Sequence, residues 1–222
     1  MSAAALLLTL SAAACSKNDQ ANSIIKMKGA ELDKIMNSRE EKENYLVIDV
    51  REKNEYAEGH VRYAINISVN ELSNKLALLT DLKDKNIVTI CRSGRRSQAA
   101  AEILQKNGFR KLFNADGVST YPYTSLTKVA NVRGKQMQEL VNTGNYSVVD
   151  AREPNDYETA HLKGAISANA DNITEKLGLL PRDKPVLTYC YSGNRSFAVA
   201  ERLAAAGYTV INSLDGTNEY TA

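Results

Sequence analysis

The stretch "NIVTICRSGRRS", Asn86–Ser97, runs a strand-like apolar segment straight into a cysteine, then into Ser-Gly-x-Arg-Ser. It has a counterpart in "VLTYCYSGNRS", Val186–Ser196, 99 residues further on by the cysteines. Each cysteine, Cys91 and Cys190, therefore closes a strand and precedes a helical pattern. In a parallel α/β sheet that place is where ligands bind, beyond the carboxyl ends of the strands. A loop there turns backbone N–H groups inward and ends at a helix N-terminus, which carries roughly half a positive charge. Anions are favoured at such a point, and so is a thiolate, especially beside arginine. A strand that merely ends in a buried cysteine needs no chemistry. Two loops that keep Cys-x-Ser-Gly-x-Arg-Ser while their other positions differ point to a nucleophile.

The candidate site residues follow from the two loops. Cys91 and Cys190 are the nucleophiles. Arg92, Ser93, Gly94, Arg95, Arg96 and Ser97 surround the first; Tyr191, Ser192, Gly193, Asn194, Arg195 and Ser196 surround the second. Gly94 and Gly193 give the backbone the freedom a tight loop requires. Ser93 and Ser192 offer hydroxyl donors, and Arg96 and Arg195 offer a planar cationic fork for an anion. The first loop has three arginines where the second has Tyr191, Asn194 and Arg195. That difference predicts a preference for a small dianion and the lower thiol pKa at Cys91, and for a less charged or larger substrate at Cys190, with Tyr191 offering an apolar face.

Outward from the loops, the repetition continues. "DVREKNEYAEGH", Asp49–His60, matches "DAREPNDYETAH", Asp150–His161, and "NADGVSTY", ending at Tyr121, matches "SLDGTNEY", ending at Tyr220. The landmarks recur in order at a near-constant spacing of about a hundred residues, the mark of a duplicated domain rather than a short-period solenoid. In the first copy Tyr45–Val50, Ala64–Ser68, Asn86–Ile90 and Lys111–Ala115 read as strands, alternating with helical patterns. The second copy repeats them, and its long helix is closed by Gly207. Such alternation implies a parallel α/β sheet. The expected layout is residues 24–121 for the first domain, 122–128 ("PYTSLTK") for a linker, and 129–222 for the second.

The chain has 222 residues and a net charge of +2, which leaves no nucleic-acid footprint. Three cysteines and two histidines are too few and too scattered for a zinc site, and the odd cysteine argues against a disulfide scaffold. The third, Cys15, ends "MSAAALLLTLSAAAC", an uncharged run too short to span a bilayer and better read as a secretory signal over residues 1–15. Small residues running into a cysteine resemble the bacterial lipobox, although Ala12 stands where Leu is usual and no Lys or Arg precedes the apolar run. That resemblance implies lipidation of Cys15, a flexible tether over residues 16–23, and an exported protein held at the membrane by its lipid alone, facing the periplasm or the cell exterior.

Taken as a set, Asp49-Val-Arg-Glu and Asp150-Ala-Arg-Glu, the Gly59-His60 and Ala160-His161 turns, both cysteine loops and the late Asp-Gly elements resemble tandem rhodanese-like sulfurtransferases. The resemblance implies two domains, each a central parallel five-stranded sheet with helices on both faces. It implies a cysteine that takes a sulfane sulfur from thiosulfate or polysulfide as a persulfide and passes it to cyanide or a thiol, with no cofactor. The chain departs from the family pattern at "RYA", where Tyr63 stands in a Gly place, and at Tyr121 and Tyr220, which stand for Trp; Asp116 and Asp215 each replace a Gly. Both loops keep Cys and Arg, so neither domain is marked as silent. Phosphatases and arsenate reductases also use such a loop, but with five residues between Cys and Arg; here there are four, Arg92–Arg95 and Tyr191–Asn194. A non-catalytic sulfur carrier or partner-binding module remains the other reading. His60 and His161 read as turn residues or as bases for the thiols, and the pairs Asp49–Arg51 and Asp150–Arg152 as ties between a strand end and the next helix.

Overall fold

The computed structural model describes residues 23–216. Cys15, the expected signal and most of the tether, and Tyr220 lie outside them. In the first half, β1 (Ile25–Met27), β2 (Tyr45–Asp49), β4 (Ile65–Asn66), β5 (Asn86–Ile90) and β6 (Lys111–Ala115) form a sheet in the order β1-β6-β5-β2-β4, every pair parallel. Around it pack α1 (Gly29–Asn37), α2 (Lys53–Glu58), the short α3 (Leu72–Lys75) and α4 (Arg95–Lys106). Four of the five residues of β2 and of β5 are buried, which is why these strands read as continuous apolar runs rather than alternating ones.

The second half repeats the topology. β8 (Ala130–Val132), β9 (Ser147–Asp150), β10 (Ala165–Ser167), β11 (Val186–Tyr189) and β12 (Val210–Ser213) are ordered β10-β9-β11-β12-β8, again all parallel. The helices are α5 (Gly134–Asn142), α6 (Pro154–Thr159) and α7 (Asn194–Ala205). Two tandem α/β domains thus stand as the sequence implies. The edge strands β1 and β8, of three residues each, are not among the strands read from the sequence. The helical "ELSNKLALL" is one turn of α-helix followed by a 3-10 stretch, Leu76–Leu82.

The segment 122–128 is fastened to the first domain. Its β7 (Leu126–Thr127) pairs antiparallel with β3 (His60–Val61). The buried Asp33 carboxylate accepts the backbone N–H groups and hydroxyls of Thr124 and Ser125. Burial alone would raise the Asp33 carboxyl, but these four donors outweigh it and hold it below its usual range. His60 is fully buried, stacked on Tyr56, with its two ring nitrogens 2.8 Å and 2.9 Å from the carbonyls of Tyr56 and Val129. Both nitrogens are occupied by backbone, so the ring is a turn post and not a base. Arg51 grips Asp49 with Nε and Nη2 and also donates to the Gly59 carbonyl, tying the end of β2 to the end of α2; Arg152 does the same with Asp150 and the Ala160 carbonyl. Among the described residues no helix is long and apolar enough to cross a membrane.

Candidate active site

Cys91 follows β5 and Cys190 follows β11, and each loop hands over to a helix whose N-cap is a glycine in the left-handed region, Gly94 at φ 95° and Gly193 at φ 79°. Few side chains tolerate that conformation. It bends the loop so that the Gly94 N–H points back at the Cys91 sulfur, 3.2 Å away. Behind each loop the late Asp-Gly turn presses close. Val118 N–H donates to the Cys91 carbonyl, and Ser119 donates to the Arg92 carbonyl through both its N–H and its hydroxyl. A Cβ on Gly117 would lie 2.1 Å from the Arg92 carbonyl oxygen, and one on Gly216 would lie 2.0 Å from that of Cys190. The late glycines are thus clamps on the cysteine loops.

The first sulfur sits in a basket of donors. Ser97 Oγ lies 3.4 Å from Cys91 Sγ and 2.6 Å from Asn114 Oδ1. Burial would push the Cys91 thiol up; the Ser97 hydroxyl and the N–H groups of Ser97, Ser93 and Gly94 together outweigh it and hold the thiol below its usual range. At the second sulfur the matching hydroxyl is present, Ser196 Oγ at 3.4 Å from Cys190 and 2.7 Å from Asn212 Oδ1. Cys91 and Cys190 are each 1% exposed and neither is in a disulfide. A donor must therefore be small, or the loop must open.

The arginines are less free than the sequence reading supposes. Arg96 makes a two-pronged contact with Glu55 of α2, at 2.6 Å and 2.7 Å, and its guanidinium draws the Glu55 carboxyl down to about 2. Arg195 contacts Glu153 through a single pair at 2.6 Å. The partners are not equivalent positions, because Asp156, shorter by one methylene, stands where Glu55 would recur. An anion approaching either arginine shares it with a carboxylate. Arg92 and Arg95 are exposed. Tyr191 does not present a bare apolar face: the guanidinium carbons of Arg152 and Arg195 lie 5.6 Å and 5.7 Å from its ring centre.

Asn114 and Asn212, which hold the loop serines, are absent from the sequence reading. The Asp-Gly turns align at an offset of 99, which sets Asn114 against Ser213. The sheet register instead pairs Asn114 with Thr89 and Asn212 with Thr188, so the second copy carries one extra residue between its asparagine and its turn. Allowing that insertion in "FNADG" against "INSLDG" exposes the signal.

Two parallel α/β domains, each with a cysteine at the end of its central strand and at the head of a helix, define the class of fold. The rhodanese-like domain family matches residues 30–118 and 134–222, and the chain belongs to it. Similar curated proteins include the thiosulfate sulfurtransferase GlpE of Tolumonas auensis, 29% identical over 41% of this chain and 86% of the relative. That of Shewanella oneidensis is 30% identical over 36% and 80%. Among solved structures, a rhodanese with anions from E. coli is 32% identical over 38% of this chain and 98% of its own, with a TM-score of 0.35. No group of His, Cys, Asp and Glu among the described residues could hold a metal ion.

Proposed function

We propose that the protein is a sulfurtransferase that carries sulfane sulfur on Cys91 and Cys190. The observation that carries this reading is the Cys91 basket, a buried sulfur whose hydrogen-bond donors favour its thiolate. The thiolate attacks the outer sulfur of thiosulfate; the new S–S bond forms as the old one breaks, and the electron pair leaves on sulfite. The persulfide keeps one negative charge, stabilised by the same N–H groups. Cyanide or a thiolate then takes the outer sulfur as thiocyanate or as a new persulfide, and the cysteine thiolate is restored. Polysulfide serves as donor in the same way. The names of the GlpE relatives support thiosulfate as the first substrate to try.

Intact-protein mass spectrometry after thiosulfate tests it. Each single Cys→Ser variant should gain one sulfur on the remaining cysteine, and Cys91→Ser with Cys190→Ser should gain none and lose thiocyanate formation. Turnover at the parent level in that double variant would refute the reading.

The proposal extends to location: Cys15 is lipidated and the two domains sit outside the cytoplasm. Cells expressing the native gene beside a Cys15→Ala version should show a detergent-soluble, palmitate-labelled membrane protein for the first only. A soluble cytoplasmic product from both would overturn the anchor and the export, and leave the sulfur chemistry standing.

A further inference from the structure

Lys42 is a lysine in the wrong place. It lies in the 3-10 turn Glu41–Asn44 of the first domain and is 4% exposed. Among the described residues its ammonium has one hydrogen-bond acceptor, the Ser192 carbonyl in the second cysteine loop at 2.7 Å, and it rests 4.6 Å from the ring centre of Tyr63. No carboxylate among the described residues pairs with it. Buried charges are ordinarily paired, and an ammonium has three N–H donors, so charge and donors are left over.

They face a cavity. An interdomain hollow of about 230 Å³ is lined by Lys42, Tyr63, Ser192, Arg133, Glu43 and Asp215, with exposed Lys85 at its edge. The carboxylates on its wall are engaged: Asp215 accepts from Arg133, which also pairs with Asp81, and Glu43 accepts from Asn194. The floor is strained. Tyr63 holds φ 60°, the only non-glycine with positive φ among the described residues, where the second copy has Gly164 at φ 76°. Such strain persists only where the surroundings enforce it and is concentrated at ligand sites. Here the Tyr63 ring packs on Phe197 of the second domain and lies under Lys42.

We propose that Lys42, supplied by the first domain, completes an anion site for the second cysteine loop, and that the cavity over Tyr63 takes a small sulfur oxyanion: thiosulfate arriving as donor, or sulfite leaving. This rests on the sulfur-transfer reading and names the part of the second site that its own loop lacks, since Tyr191 and Asn194 replace Arg92 and Arg95. The cation comes from across the interface instead. Burial pushes the Lys42 ammonium down, and Glu43, Cys190 and Asp215 pull it back up only in part; a bound dianion would stabilise the charged form.

The test uses the full chain. With both cysteines as serine, sulfite titrated by calorimetry should bind, and Lys42→Met should weaken binding at least about tenfold, with Lys42→Arg between the two. Sulfate and chloride titrations distinguish a sulfur-oxyanion site from a general ion site; equal affinity for chloride would overturn the assignment. Without ligand, Lys42→Met should melt within a few degrees of its parent, because the lost hydrogen bond to the Ser192 carbonyl is offset by removal of a buried cation with no carboxylate partner among the described residues. In the Cys91→Ser protein, Lys42→Met should raise the thiosulfate needed for half-maximal loading of Cys190 about tenfold, with loading of Cys91 in the Cys190→Ser protein as the reference. Sulfite binding indifferent to Lys42, or a marked fall in melting temperature, would make Lys42 a structural tie and overturn the inference. If neither cysteine takes sulfur yet sulfite binding depends on Lys42, the transfer reading fails and the anion site stands. If both load regardless of Lys42, the transfer reading stands and the anion site fails.

Discussion

The two cysteine loops share a skeleton and differ in what holds them. The first is sustained by its own domain. Its serine is held by Asn114, which donates in turn to Gln98 and the Gly94 carbonyl, and it meets the other domain through none of its hydrogen bonds among the described residues. The second leans on the first domain along two routes. Inside, Ser196 donates to Asn212, Asn212 to Asn131, and Asn131 to the Ala64 carbonyl. On the other side of the loop, buried Lys42 reaches the Ser192 carbonyl, and Asn194 reaches Glu43 and the Arg39 carbonyl. Copying a domain reproduces its loop, but the second copy acquires a neighbour that the first lacks at the same surface. The local motif places the cysteine, and the interface sets its surroundings.

The late glycines give the largest way to break this comparison. An added Cβ at either position meets backbone, not a flexible side-chain tip. Gly117→Ala should cost about 1–3 kcal/mol and displace the Cys91 loop; Gly216→Ala should do the same at Cys190. Mass spectrometry should show thiosulfate loading lost only on the cysteine next to each substitution, and urea unfolding should show the cost. Loading lost on both cysteines from either substitution would mean that the loops are mechanically one unit.

The loop serines sharpen the comparison on a smaller scale. Ser97→Ala leaves Cys91 the Gly94 N–H at 3.2 Å, whereas the Ser196 hydroxyl, whose single proton is shared between Cys190 and Asn212 Oδ1, is the one hydrogen-bond donor to Cys190 among the described residues. Removing a hydrogen bond of this kind is worth about 1 kcal/mol, about fivefold in rate. Loading of Cys190 should thus fall about fivefold in Ser196→Ala, and loading of Cys91 by less in Ser97→Ala. The pH profile adds a sign. The folded Cys91 thiol lies below its ordinary value, so its thiolate survives as pH falls below that value and is lost only on passing the folded one. Ser97→Ala removes a cause of that depression, and the loading profile of Cys91 should move to higher pH. A profile that stays put would assign the depression to the backbone N–H groups alone.

Most of this architecture is legible in the sequence, for identifiable reasons. Central strands such as Asn86–Ile90 are buried on both faces and show as unbroken apolar runs. The cysteine loops show because tight geometry constrains every position. The edge strands Ile25–Met27 and Ala130–Val132 do not show, since they are held by neighbours rather than by composition; the opposite edges, Ile65–Asn66 and Ala165–Ser167, do. The segment 122–128 looks like an unstructured connection because its order comes from Asp33, some ninety residues away. At the site, the placement of the cysteines and arginines at the strand ends is a local feature and readable. Glu55 and Lys42 act across the fold, and nothing in their neighbourhoods marks them; Asn114 shows only once the one-residue insertion before the second turn is allowed.

The smallest effect separates the arginines. Arg96 and Glu55 are both about one-quarter exposed, at 28% and 27%, and share two short contacts, while Arg195 and Glu153 are 42% and 69% exposed and share one. Lysine keeps the charge but cannot reproduce a two-pronged contact. Arg96→Lys should therefore cost about 1 kcal/mol, and Arg195→Lys less than about 0.5 kcal/mol, as expected for an exposed pair. Thermal melting at neutral pH reads both, as a shift of a few degrees against almost none. Acid gives the control. The Glu55 carboxyl is held down to about 2, so the stability it lends is complete above the ordinary carboxylate value and drains away as pH falls from about 4.5 toward 2. The gap between the parent and Arg96→Lys should close over that window, because protonated Glu55 no longer distinguishes arginine from lysine. A gap that persists at the acid end would mean that Arg96 matters through the packing of its stem along α2 and not through its carboxylate, and the first loop would then be anchored no more electrostatically than the second.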